Sequence, residues 1–172
     1  MLFRSVGRPA EAADIVAGIQ ADIAAVKGAV QGLPKLRVDY ELDATNGFFG
    51  PAPDYFGVEM LQLAGSVPLT SGTAGAFQIP EERIIAFDPE VILLGDFAYG
   101  VTVEQVLTRP GWAGLTAVKT KAVRPVDDVV ITRPGPRLGL GLIALARAIH
   151  PEAKLPASSA VPGAGALASA AP

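Results

Sequence analysis

One stripe of branched side chains constrains the fold of this chain more than any other feature. Between Pro9 and Gln31, the residues Ile15, Ile19, Ile23, Val26 and Val30 follow one another at steps of four, four, three and four. That spacing keeps them on one face of a helix with 3.6 residues per turn. Pro9 suits a first helical turn, and Gly32 followed by Pro34 supplies the stop. At about 1.5 Å per residue, a helix of about 23 residues is roughly 34 Å long, the width of a whole small domain. Beside a small lobe, a helix of that length poses the question of what else it packs against.

The chain has 172 residues, enough for one domain with a real core and too few for two of ordinary size. Its formal net charge is −3 and its acids are scattered, which is not the basic footprint of a nucleic-acid binder. With no cysteine, disulfide frameworks, thiolate metal sites and cysteine nucleophiles are excluded together. The most apolar stretch, residues 138–149, is short and contains Arg147, whereas a membrane span needs about 20 apolar residues. The start, Met-Leu-Phe-Arg-Ser, runs into a polar helix without an apolar signal segment. Either the chain is cytoplasmic or its natural beginning lies upstream; the second reading is preferred, and residues 1–5 are set aside as a non-native start.

Beyond the helix, Leu36, Val38, Tyr40 and Leu42 alternate with Arg37, Asp39 and Glu41, which predicts a strand with one wet face at a sheet edge. Residues 54–64 read as a helix burying Phe56, Met60, Leu61 and Leu63 and closed by Gly65. Residues 80–87 read as a short helix with Glu81 and Glu82 in its first turn. The apolar run 91–94 fits a strand covered on both faces. Thr102 and Gln105 predict a capping box opening a third short helix, which Pro110 ends. Residues 122–126 are a further strand and 134–149 the last helix. Alternation of this kind indicates an α/β fold: a single lobe with a mainly parallel, helix-covered sheet, preceded by a long spine helix. The spine covers 6–33 and the lobe 34–152. Residues 153–172, rich in Ala and Pro, are expected to form a disordered tail.

Gly139-Leu140-Gly141-Leu142-Ile143-Ala144 matches a loose dinucleotide fingerprint, but prolines precede it and no acid follows about 20 positions on. Close helix packing is the preferred reading. His150, the sole histidine, stands where the last helix stops and reads as a cation at a helix end rather than a ligand or base. Asp127 and Asp128 read as a solvated pair, with a hard cation the alternative. No Ser or Thr stands in a nucleophile elbow, so the chain is not expected to be an enzyme, nor to hold a metal or cofactor.

Ligands of parallel sheets bind outside the carboxyl ends of the strands. Three loops qualify: 44–55 with Asn46, Phe48, Phe49 and Tyr55; 95–100 with Asp96, Phe97 and Tyr99; and the loop holding Asp127, Asp128, Arg133 and Arg137. Loop aromatics are harder to explain by packing than helical ones, and at least some are candidates to face a ligand. Trp112, after Pro110-Gly111, is read as a core anchor.

Gly95-Asp96-Phe97-Ala98-Tyr99-Gly100-Val101-Thr102, Arg109-Pro110-Gly111-Trp112-Ala113-Gly114-Leu115, Ala117-Val118-Lys119 and Arg133-Pro134-Gly135-Pro136-Arg137 resemble the C-terminal lobe of the cobalamin and ferric-siderophore binding proteins of ABC importers. Leu61-Gln62-Leu63-Ala64-Gly65 and Phe87-Asp88-Pro89-Glu90-Val91-Ile92-Leu93-Leu94-Gly95 fit the same pattern in the same order. The resemblance covers residues 7–152. It implies two α/β lobes joined by one rigid helix, with the ligand between them, and an N-terminal lobe and export signal upstream of Met1. It implies delivery of a corrinoid or ferric siderophore to a membrane permease driven by an ATPase, outside the cytoplasm. Phe48, Phe49, Tyr55, Phe97 and Tyr99 would cover the ligand, while Asp96 and Arg133 hydrogen-bond its periphery. Glu59 would dock on the permease, although many relatives carry the acid where this chain has Gln62. Bare zinc or manganese is the wrong size for such a lobe. A small nucleotide-binding or oxidoreductase domain is the alternative.

Overall fold

A computed structural model describes residues 9–156. The expected non-native start and most of the expected tail lie outside that range. Helix α1, Pro9–Val30, is followed by β1 (Leu36–Glu41), β2 (Phe48–Phe49), α2 (Phe56–Leu63), β3 (Ser66–Pro68), β4 (Gln78–Ile79), α3 (Glu81–Phe87) and β5 (Val91–Leu94). A 3-10 turn, Asp96–Tyr99, leads to α4 (Val103–Leu107), α5 (Thr116–Lys119), β6 (Val123–Pro125), α6 (Asp128–Thr132) and α7 (Leu138–Ile149).

Four strands form one parallel sheet in the order β3-β1-β5-β6, and β2 pairs with β4 as a small antiparallel ribbon. Helices cover both faces, as the α/β alternation predicts. On one face Val38, Tyr40, Val91 and Leu93 pack with Val26 of α1, Met60 and Leu61 of α2, Ile131 of α6 and Leu142, Leu145 and Ile149 of α7. On the other, Ile92, Leu94 and Val123 pack with Ile84 of α3, Val106 of α4, Ala117 of α5 and the fully buried Trp112.

The stripe on α1 divides along its length. Val26 is buried, and Ile23 and Val30 lie against the core, but Ile15 and Ile19 are outside it and Val16 is half exposed. The amino-terminal part of the helix therefore extends past the packing that this lobe provides. Where α1 crosses α7 the buried residue is Asp22, and a Cβ at Gly139 would overlap its carboxylate. Two residues further, a Cβ at Gly141 would stand 2.6 Å from the Val130 carbonyl oxygen. Both glycines serve close helix packing, and neither opens a helix after a strand.

Strand β1 departs from expectation. It lies inside the sheet, because the three-residue β3 takes the edge, and its alternate face is not wet. Arg37 alone stays partly exposed, paired with Asp88 and Glu90. Asp39 and Glu41 are each 2% exposed and project into the face beneath Trp112. Glu41 is held by both terminal guanidinium nitrogens of Arg109, at 2.7 and 3.0 Å. A period-two pattern distinguishes the two faces of a strand but not water from a buried counter-ion.

The capping box forms: Thr102 Oγ1 accepts from the Gln105 amide and Gln105 Oε1 from the Thr102 amide. The last helix begins at Leu138 rather than 134, since Pro134 and Pro136 hold the preceding chain in a bend. The segment expected to be a loop around Asp127 contains the short helix α6, capped by the Asp127 carboxylate on the Val129 amide. His150 caps α7 and is fully buried, its ring nitrogens 3.1 Å from the Gly65 carbonyl and 3.2 Å from Glu152. It fastens the turn after α2 to the end of α7 and does more than complement a helix dipole.

Two outcomes follow. Gly141→Ala forces a methyl group against backbone that cannot yield; overpacking of this kind costs about 1–3 kcal/mol, read as a lowered urea midpoint, and an unchanged midpoint would show that the α6–α7 contact is loose. The second concerns pH. Burial, then the neighbouring Glu41, raises the Asp39 carboxyl from 3.8 to about 7 against the opposing pull of Arg109. The folded state thus holds a proton that the unfolded chain releases above about pH 4, and this contribution to stability is lost as pH rises from about 4 to about 7. Asp43, Asp88 and Glu152, lowered by hydrogen bonds at the surface, act in the opposite direction. The decisive reading is therefore a difference. Asp39→Asn should gain stability relative to the parent chain between pH 5 and pH 8, by up to a few kcal/mol at roughly 1.4 kcal/mol per unit. A difference that stays constant with pH contradicts the assignment.

Candidate ligand-binding site

All four strands of the main sheet run parallel, so the segments after β1, β5 and β6 emerge along one edge. Because β5 lies between β1 and β6, its turn sits in the middle, with the segment after β1 on one side and α6 on the other. Hydrogen bonds organise the first segment into a ribbon: the Leu42 amide donates to the Phe49 carbonyl (2.7 Å), Phe49 to Asp43 (2.8 Å) and Gly50 to Phe77 (2.9 Å).

The candidate residues separate into layers. Phe48 turns inward, its ring 5.2 Å from that of Trp112, with the Arg109 guanidinium 4.9 Å from Phe48 and 4.2 Å from Trp112. Phe49 is half buried and paired across the ribbon with Gln78. Tyr55, just before α2, lies 4.7 Å from the Phe56 ring and 5.9 Å from the Phe77 ring, and its hydroxyl is 3.5 Å from the Thr132 carbonyl. Burial, then Asp128, pushes that phenol up to about 12. Arg133 follows immediately at the end of α6 and is exposed. Tyr55 thereby joins the first segment to the third through Thr132, with Phe77 beside its ring.

The central turn supplies the exposed aromatics. Phe97 is 46% and Tyr99 73% exposed, whereas Asp96 at its head is 2% exposed. Neither Asp96 carboxylate oxygen has a hydrogen-bond partner. Burial, then Glu41, raises that carboxyl from 3.8 to about 6. Asp96 is thus beneath the edge, while Phe97 and Tyr99 are on it. Below the other side of β1, the Tyr40 hydroxyl donates to Asp128 (2.9 Å), which also accepts from the Thr132 hydroxyl (3.1 Å). These bonds fix α6, and with it Arg133, to the sheet.

Arg109, Asp39, Glu41 and Phe77 escaped the reading of loop composition. Arg109 stood in the Arg-Pro-Gly-Trp motif without a partner assigned to it, and the two acids were taken for the wet face of a strand. Glu59 is exposed on α2 and lines an apolar recess of about 260 Å³ between α1, α2 and α7. A larger groove, about 690 Å³, lies at the opposite end of the sheet, where Lys35 and Gly65 precede β1 and β3. It is remote from the aromatic edge and carries none of the candidate residues. Among the described residues, no helix is long and apolar enough to cross a membrane.

Comparison with known proteins concerns the family and the fold. A family model described as periplasmic binding protein matches residues 4–130. The chain is 28% identical over 155 residues to YvrC of Bacillus subtilis, an uncharacterized ABC transporter substrate-binding lipoprotein, covering 88% of this chain and 48% of that protein. A crystal structure of a periplasmic binding protein from Veillonella parvula superposes with a TM-score of 0.72 at 27% identity, covering 84% of this chain and 52% of the other. The periplasmic heme-binding protein RhuT of Roseiflexus superposes at 0.74 with 24% identity, covering 87% and 59%. The chain therefore spans about half the length of the curated relative and little more of the solved structures. The family match over most of the chain, with a fold shared by solved members, places this protein in the periplasmic binding protein family.

Proposed function

We propose that this chain is the spine helix and one α/β lobe of the substrate-binding component of an ABC importer, and that its aromatic edge covers one side of a bulky chelate. The chelate class is a corrinoid or a ferric siderophore; heme, bound by the structural relative RhuT, shares the metal-centred and partly apolar character. The observation that carries this reading is the exposure of Tyr99 and Phe97 on the turn after the central strand, where a soluble lobe gains nothing by exposing rings.

In this reading Phe97 and Tyr99 lie on the ligand's face, Tyr55 and Phe49 flank it, and Arg133 hydrogen-bonds its carboxylate or amide periphery. Phe48 supports the edge from beneath, and Asp96 reaches the ligand only when the turn moves. The part played by the protein is recognition and delivery, with no bond made or broken. Delivery requires a membrane permease and its ATPase, with exposed Glu59 as the docking acid, and a location outside the cytoplasm, in keeping with the lipoprotein relative. A nucleotide-binding or oxidoreductase domain is disfavoured because Gly139 and Gly141 are spent on helix packing.

Trp112, the only tryptophan, lies beneath the edge and reports on it. Titration with haemin, cyanocobalamin or a ferric hydroxamate should quench its emission saturably for at least one of them. Tyr99→Ala should weaken that binding about tenfold, equivalent to about 1.4 kcal/mol. Saturable binding of NAD or ATP with no response to any chelate would refute the reading.

A further inference from the structure

Three carboxylates, those of Asp39, Glu41 and Asp96, are buried together under the edge, and one guanidinium, that of Arg109, faces them. The register explains the convergence. Asp39 lies beside Ile92 and Glu41 beside Leu94, so both acids project into the face beneath Trp112, and Asp96 opens the 3-10 turn that follows Leu94 and Gly95. Arg109 is committed to Glu41 through both of its terminal nitrogens. Asp96 is left with two enclosed oxygens that no other side chain meets, its own backbone amide being the one donor that acts on it.

An ionised carboxylate in that position is costly, since it is enclosed and the cation acting on it, Arg109, is already engaged by Glu41. The groups around Asp96 deepen the cost. Glu41 and Asp39 face it from β1, and Asp43 from the segment after β1; Arg109 is the sole cation among the charges acting on it. Among the described residues no group of His, Cys, Asp and Glu is arranged to hold a metal ion. A proton is the balancing charge that fits the space.

We propose that Asp96 is a proton-operated latch: protonated, it lies under the sheet edge and holds the 96–99 turn down, and ionised, it leaves the cluster for water and swings that turn outward. Two backbone bonds mark the closed state, from the Gly95 amide to the Glu41 carbonyl (2.9 Å) and from the Gly100 amide to the Phe97 carbonyl (3.2 Å). Glycine suits both ends of the movement. A Cβ at Gly95 would stand 2.9 Å from the Tyr40 ring, and Gly100 has a φ of +102°. The turn carries Phe97 and Tyr99, so the proton sets how these rings are presented. The latch does not depend on the ligand reading, because its movement is measurable in the unliganded chain.

Amide exchange of Gly95 and Gly100, followed by NMR and corrected for the intrinsic pH dependence of exchange, tests the latch directly. In the parent chain the protection of both amides should fall by about tenfold or more between about pH 5 and pH 8, a change of about 1.4 kcal/mol or more in opening. Asp96→Asn, which keeps the shape and cannot ionise, should remove the fall. Asp39→Asn, which removes a neighbouring carboxylate that opposes ionisation of Asp96, should move its midpoint to lower pH. Protection independent of pH in the parent chain, an undiminished fall in Asp96→Asn, or an unmoved midpoint in Asp39→Asn would each overturn the proposal.

Discussion

The bidentate pair between Glu41 and Arg109 is the interaction on which the candidate site depends. Glu41 ends β1 in the interior of the sheet with 2% of its surface exposed, and Arg109 reaches it from the segment after α4 with 15% of its side chain exposed. A buried carboxylate in a central strand is tolerable only when a cation meets it with good geometry. The guanidinium also contacts the rings of Phe48 and Trp112, so one side chain joins the strand end, the first loop and the tryptophan anchor. Trp112 in turn donates its indole proton to Glu81 at 2.8 Å, which brings α3 into the same network. Removing either member of the pair leaves a buried charge and loosens elements that are far apart in sequence.

This arrangement separates support from presentation. Phe48, Trp112 and Arg109 form a floor in which aromatic and ionic contacts are already satisfied. Above it, Phe97 and Tyr99 are exposed on a short turn held by few bonds, while Tyr55 is tied to α6 through Thr132. An edge built this way sets exposed rings over a base whose own contacts are already made. The long α1, which passes beyond the core at Ile15, Val16 and Ile19, accords with relatives of which this chain covers about half the length.

Much of the fold was legible because it rests on local signals. The stripe on α1, the run 91–94 and the Thr102–Gln105 box each state an element in a few residues. The short strands did not announce themselves: β3 is three residues with a proline, and β2 and β4 have two residues each, too few for any period to register. The ribbon exists because backbone groups in the first loop find partners near Phe77, a pairing settled over about 30 residues of chain. The site was legible by position but not by layer. The loop aromatics do lie along the carboxyl ends of the strands, yet Phe48 and Asp96 face inward, because their neighbours Arg109, Trp112 and Glu41 come from elsewhere in the sequence. Asp39 and Glu41 were misread since charged residues alternating with apolar ones signal water far more often than a buried cluster.

The claim that the Glu41–Arg109 pair organises the edge is tested most directly by a double-mutant cycle. Urea unfolding at pH 8 of the parent chain, Glu41→Gln, Arg109→Met and the double variant gives the coupling free energy. The account predicts that each single change destabilises by about 3–5 kcal/mol and that the double variant loses clearly less than their sum. Losses that simply add would contradict it, because the two side chains would then contribute independently and the edge would owe its order to something else.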